Sequence, residues 1–148
     1  IISMNYHIFC NTRSLPHNCS DAIGEYTKRL SAYCNTELHC TEYLNDLIRI
    51  YKTGQPVFWI QPGISTYSSE DFSNRIDTLQ QQGNSTAHIL IGYKPDLLTQ
   101  LYTIPDIDQS LQYMSMTGFQ LSDSTVALLF VEQLYRAYTI LHGKTYHK

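Results

Sequence analysis

SDSTVALLFVEQLYRAYTILHGKTYHK, residues 122–148, is the most continuously apolar stretch of the chain, and it ends abruptly on polar and ionisable groups. Ser122 or Asp123 can accept a hydrogen bond from the first free N–H groups of a helix. Val126, Leu129, Phe130, Gln133, Leu134, Ala137, Tyr138 and Leu141 follow at spacings of three and four, the helical period. Leu128, Val131 and Tyr135 widen this stripe beyond that of a surface helix, which predicts burial on more than one side. Gly143 supplies a helix stop, and a five-residue tail follows. Beside a core helix, the tail residues Tyr146, His147 and Lys148 gain nothing unless something binds there.

The rest of the chain bounds what this helix can pack against. At 148 residues, with 43% hydrophobic and 16% charged residues, the sequence predicts one globular domain with its own core. Residues 1–3 precede Met4 and are set aside as an added or upstream extension. A net charge of −3 argues against coating nucleic acid by bulk electrostatics, while ten Lys and Arg remain for a local patch. Cys10, Cys19, Cys34 and Cys40 contain no C-x-x-C pair and follow no secretory signal, so free thiols are expected. Cys34, His39 and Cys40 fit no zinc spacing, and no metal site is expected. No run reaches the eighteen apolar residues of a membrane span.

Strand and helix signals alternate along the chain. Strands are expected at 6–10, 36–41, 57–60 and 87–92, with weaker candidates at 110–116 and 119–121. Helices are expected from a cap at Ser20 or Asp21 to Tyr33, over 44–51, from Ser68–Ser69 to Gly83, and briefly over 97–102. The apolar runs VFWI and AHILIG suit strands covered on both faces, which predicts a parallel α/β sandwich. In such sheets ligands collect at the carboxyl ends of strands. Here those ends are 60–64, 92–96 and 116–123, whose backbone groups can read a flat adenine-like ring.

No nucleophile elbow, P-loop, dinucleotide fingerprint or H-E-x-x-H occurs. His7, His17, His39, His88 and His142 stand singly, as structural or surface residues do. Glu132 and Arg136 lie four apart, the spacing of a helical ion pair. Arg136 can equally be aimed at a phosphate or base edge, which its planar fork suits.

FVEQLYRAYTILHGKTYHK, with Glu132, Gln133, Tyr135, Arg136, Ala137, Gly143, Tyr146, His147 and Lys148 at this spacing, closely resembles the C-terminus of the RlmH family. Those proteins are SPOUT-class methyltransferases acting on pseudouridine of large-subunit (23S) ribosomal RNA. GEYTKRLSAY (residues 24–33) resembles the family's first helix, YSSEDFSNRI (67–76) its S-S-E helix start, and HILIG the strand before its cofactor loop. The likeness spans most of residues 4–148 in the family's order. It implies a trefoil-knotted α/β fold, a homodimer, a cytoplasmic location, and ribosomal RNA or the assembled ribosome as partner, with no membrane or DNA. It implies an S-adenosylmethionine pocket in the knot loops, carried here by Ile60, Gly92, Tyr93, Thr117, Gly118, Phe119, Gln120, Leu121 and Ser122. Arg136, Tyr146 and His147 match catalytic positions, and Arg136 and Lys148 match positions that hold RNA.

The sequence departs from the family in two loops. I-G-G-x-x-G is replaced by Ile91-Gly92-Tyr93-Lys94-Pro95-Asp96, so a ring stands where a glycine lets a ligand approach. T-F-P-H-x-x-x-R is replaced by residues 120–127, QLSDSTVA. With Tyr93 expected to occupy or cover ligand space, the alternative is a SPOUT-fold pseudoenzyme, or an RNA- or partner-binding dimer, that has lost methyl transfer.

Overall fold

VFWI and AHILI become adjacent strands because each presents apolar side chains to both faces, and both faces are covered. The computed structural model describes residues 3–63 and 67–145. In chain order they form β1 (Asn5–Cys10), α1 (His17–Leu30), β2 (Asn35–Cys40), α2 (Asn45–Ile50), β3 (Val57–Ile60) and α3 (Ser69–Gln81). These are followed by β4 (Thr86–Ile91), a 3₁₀ turn (Pro95–Leu97), α4 (Leu98–Leu101), α5 (Ile107–Ser110), β5 (Leu111–Met114) and α6 (Asp123–Leu141). The strands make one sheet in the order β2-β1-β4-β3-β5, and every pairing is parallel. This is the expected α/β sandwich.

Strand periodicity divides the interior into two cores. Tyr6, Ile8, Phe58, Ile60, Ala87, Ile89 and Ile91 point to the face carrying α1, α3 and α6. Phe9, Val57, Trp59 and Leu90 point the other way, onto Leu44, Leu47, Tyr51, Leu101 and Ile107. Along α6, Ala127, Phe130, Val131, Leu134, Ala137 and Tyr138 are buried between α1 and α3. Tyr138 locks this packing: its hydroxyl lies 2.9 Å from Gln80 Oε1 and 2.7 Å from the Tyr6 hydroxyl. With Tyr138 donating to Gln80, Tyr6 donates to Tyr138, and both buried phenols are satisfied. Helix α6 is thus buried on more than one side, as expected, with Leu128 and Tyr135 half-buried against the same core.

Two helix starts follow the expected capping. The Ser122 hydroxyl accepts from Thr125 N at 3.3 Å, and that of Ser68 from Asp71 N at 3.0 Å. Two expectations are corrected. Helix α1 starts at His17, three residues before Ser20, on Pro16 and with no side-chain cap. Proline fixes φ at −54° and its carbonyl takes the first helical bond from Ser20 N, at 2.9 Å, while Asn18 Oδ1 accepts from one free first-turn group, Cys19 N, at 2.9 Å. Residues 119–121 are not a strand: Phe119 is 77% exposed, and the chain there turns from β5 towards α6.

Candidate functional site

The sheet order places the carboxyl ends of β4, β3 and β5 side by side, so the segments leaving them (92–95, 61–63 and 115–122) converge. Main-chain bonds tie two of these together: Gln61 N donates to Met114 O at 2.9 Å, and Gly63 N to Thr117 O at 3.1 Å. The Ser115 hydroxyl lies 3.3 Å from Gly63 O and 3.1 Å from Thr117 O. Gln61 Nε2 reaches Tyr93 O at 3.5 Å, and Asn11 Nδ2 donates to Gly92 O at 3.0 Å from the end of β1. Between these loops and the first turn of α6 lies a cleft of about 410 Å³, within the range of small-molecule sites. Ile60, Ile91, Met116, Leu121 and Val126 give it apolar walls, and Gln61, Lys94, Gln120 and Asp123 give it polar ones.

Gly92 and Asp123 form the tightest point of the cleft. Gly92 has φ +85°, and a Cβ built on it would overlap the Asp123 carboxylate, so a side chain here would be strained and would have to displace that carboxylate. Partial burial raises the Asp123 carboxyl above its ordinary range. Beneath it, burial first, and then the field of Asp123, push the Cys10 thiol up to about 12.

Of the expected cofactor residues, Ile60, Gly92, Tyr93, Thr117, Phe119, Gln120 and Leu121 line the cleft. Gly118 and Ser122 do not. Gly118 packs beside the Gly63 carbonyl, and Ser122 caps α6. Gln61, Lys94 and Asp123 line it too; they lie within the strand-end loops, and nothing in the local sequence marks them. Val126 also lines it, although its helical spacing alone points to the core. Its position one turn beyond the Ser122 cap was the available signal.

Tyr93 corrects a specific expectation. Its ring does not cover the cleft. It is 1% exposed in the second core, with Phe9, Leu44 and Leu101, and its hydroxyl donates to Thr41 O at 2.5 Å. Only the backbone side of the residue is left to the cleft. The side chain that replaces a family glycine therefore fills the opposite core: alternation alone would have kept it on the face of Ile89 and Ile91, but β4 ends at Ile91 and Gly92, at φ +85°, breaks the alternation.

Arg136 forms the expected helical pair, with Nη2 2.6 Å and Nε 3.1 Å from Glu132 Oε1. Gln133 Nε2 donates to the other Glu132 oxygen at 2.9 Å, and Ser69 to Gln133 Oε1 at 2.9 Å. A chain of side chains from the start of α3 thus fixes the guanidinium. Arg136 lies 13 residues beyond Asp123 on α6, about 20 Å at 1.5 Å per residue. One chain therefore does not bring Arg136 to the cleft. Tyr146, His147 and Lys148 lie outside the described residues. No helix among the described residues is long and apolar enough to cross a membrane.

A family model described as "Predicted SPOUT methyltransferase" matches residues 4–147. The chain is 32% identical over 152 residues to a Thermoanaerobacter sp. protein named ribosomal RNA large subunit methyltransferase H 1, covering 98% of this chain and 100% of that one. The ribosomal RNA large subunit methyltransferase H of Flavobacterium psychrophilum is 26% identical over 161 residues, covering 97% and 99%. That of Acetivibrio thermocellus is 27% identical over 147 residues, covering 86% and 89%.

Proposed function

The chain belongs to the SPOUT methyltransferase family, among its ribosomal RNA large subunit methyltransferase H members, and from that premise we propose that it transfers a methyl group from S-adenosylmethionine to N3 of a pseudouridine in large-subunit ribosomal RNA. The observation that carries this reading is the cleft where three strand-end loops meet at Gly92, whose positive φ and contact with the Asp123 carboxylate favour a bare backbone. The residues present suit the cofactor. Ile60, Ile91, Leu121 and Val126 would hold its adenine ring, and backbone groups of 92–95 and 117–121 the ring edge. Asp123 would face its cationic groups and Lys94 its carboxylate. Bound there, S-adenosylmethionine supplies an electrophilic methyl group on a cationic sulfur.

The remaining work falls to side chains of this protein. The nitrogen that accepts the methyl must lose its proton, and His147 or Tyr146 is the group proposed to receive it. The Arg136 fork, held by Glu132, would grip a phosphate or base edge, with Lys148 as a second cation on the RNA. Because Arg136 sits about 20 Å along α6 from Asp123, the complete site needs a second copy to bring its Arg136 and tail to the cleft. The half-buried Leu128 and Tyr135 support a helix face that such a homodimer would cover. The proposal includes the family's trefoil knot. It is supported by the return of the chain from β5, at the sheet edge, to α6 over β1 and β4, and by the bonds between 115–117 and Gly63. With the Tyr93 ring in the second core, that side chain gives no support to the alternative of a fold without methyl transfer, which then rests on the altered loop at 120–127.

The direct test is methyl-labelled S-adenosylmethionine incubated with the protein and ribosomes lacking the modification. Label recovered in a pseudouridine of large-subunit RNA is expected; ribosomes left unlabelled while a known methyltransferase labels them would refute the proposal.

A further inference from the structure

On the opposite face of the sheet from α6, along the middle of β1 and β2, a second constellation has no part in the proposed methyl transfer. Register alone builds it. His7 of β1 lies opposite Glu37 of β2, Phe9 opposite His39, and His7 opposite His88 of β4. All these side chains share one face. His7 Nδ1 is 3.1 Å from Glu37 Oε2 and 3.2 Å from His39 Nε2, and the three atoms lie within 4.8 Å of one another. In a tetrahedral zinc site with bonds of 2.0–2.1 Å, neighbouring ligand atoms stand about 3.3 Å apart. The two separations from His7 Nδ1 already have that spacing, and the third lies within reach of it.

Protons satisfy this arrangement poorly. His7 Nδ1 carries at most one hydrogen, and it faces both a carboxylate oxygen and a second imidazole nitrogen. Either one N–H is shared between two acceptors, or a lone pair is left facing the carboxylate. A cation at their common centre uses all three lone pairs at once. The imidazoles are also held in place. The His7 ring stacks on buried His88 at 5.4 Å and 15°, and the His39 ring on Phe9 at 4.6 Å and 14°. Gln55 Oε1, 2.8 Å from His88 Nε2, fixes the lower ring. Glu37, with its side chain 67% exposed, leaves the site open to solvent on one side.

We propose that His7 Nδ1, His39 Nε2 and a Glu37 carboxylate oxygen bind one divalent transition-metal ion of the zinc class, with water in the fourth position. Two imidazoles and a carboxylate are the donors such ions take, and they do not suit calcium or magnesium. The ion clips the edge strand β2 to β1, and this site stands whether or not the protein methylates RNA. The sequence could not show it, because His7 and His39 are 32 residues apart and only strand pairing brings them together.

The test uses full-length protein stripped of metal, titrated with Co²⁺ and followed by its visible absorption. One equivalent should bind with the intense bands of four-coordinate cobalt and no thiolate charge-transfer band. Zn²⁺ should displace it and raise the melting temperature by roughly 5–10 °C at a hundredfold excess over Kd. Glu37→Gln, isosteric and at an exposed position, and His39→Gln should each weaken binding at least about tenfold. Absence of stoichiometric binding, binding unaffected by both substitutions, or a thiolate band placing the ion on the cysteines would each overturn the proposal.

Discussion

Replacing Gly92 by alanine perturbs the cleft at one atom, and the structure sets the size of the effect. At φ +85° an L-residue pays about 1–2 kcal/mol for its backbone alone. The added methyl also overlaps the Asp123 carboxylate, which must swing away from the wall it forms. A total loss of about 2–3 kcal/mol follows, or roughly 4–10 °C in melting temperature for a chain of this size. Asp123→Ala removes the obstruction, so in that background the same glycine substitution should cost only the backbone contribution. Denaturant unfolding of the four proteins gives the coupling as a double-mutant cycle. Displacing Asp123 and filling the loop should also weaken S-adenosylmethionine binding at least about tenfold, close to 1.4 kcal/mol. An equal stability cost in both backgrounds would show that the methyl and the carboxylate do not meet. Unchanged cofactor affinity in Gly92→Ala would show that the ligand does not approach this turn.

Other outcomes follow from the same geometry. Tyr93→Phe should lower stability by about 1 kcal/mol through loss of the bond to Thr41 O, with cofactor affinity unchanged in calorimetry; a large affinity change would put the ring back in the cleft. Glu132→Gln should reduce methyl transfer more than cofactor affinity, because it releases the Arg136 fork, and equal losses would refute that placement. Burial pushes the Cys10 and Cys34 thiols up to about 12 in the folded protein. From about pH 9 the unfolded chain loses these protons while the folded chain keeps them, so stability should decline between pH 9 and 12. Replacing both cysteines by alanine should reduce the decline that sets in near pH 9 and leave the part above pH 10, where the buried phenols of Tyr6, Tyr93 and Tyr138 are also pushed up; an unchanged onset near pH 9 would assign it to other groups. Light scattering should give a dimer; a clean monomer at working concentration would leave Arg136 and the cleft on separate molecules.

The parts of this fold that were legible in the sequence are those where a single element carries its own signal. Val57–Ile60 and Thr86–Ile91 are apolar on both faces and flanked by turn residues, which only a covered strand needs. Ser68 and Ser122 sit where a helix lacks partners for its first N–H groups. Helix α1 escaped because proline can start a helix without any hydroxyl. The site was legible only as loops. Which residues of 60–64, 92–96 and 116–123 face the cleft depends on strand order, and β4-β3-β5 is not the order of the chain. The direction of the Tyr93 ring depends on Gly92, whose positive φ takes the chain out of strand alternation just before it, and composition does not record that. Asp123 belongs to the cleft because α6 returns across the sheet to Gly92, a contact between positions 31 apart.

Isothermal titration of the purified protein with S-adenosylmethionine addresses the cleft most directly. Saturable binding with a negative heat-capacity change is expected, because Ile60, Ile91, Leu121 and Val126 would lose apolar surface to water on binding. No heat and no thermal shift at millimolar cofactor would contradict the assignment of this cleft.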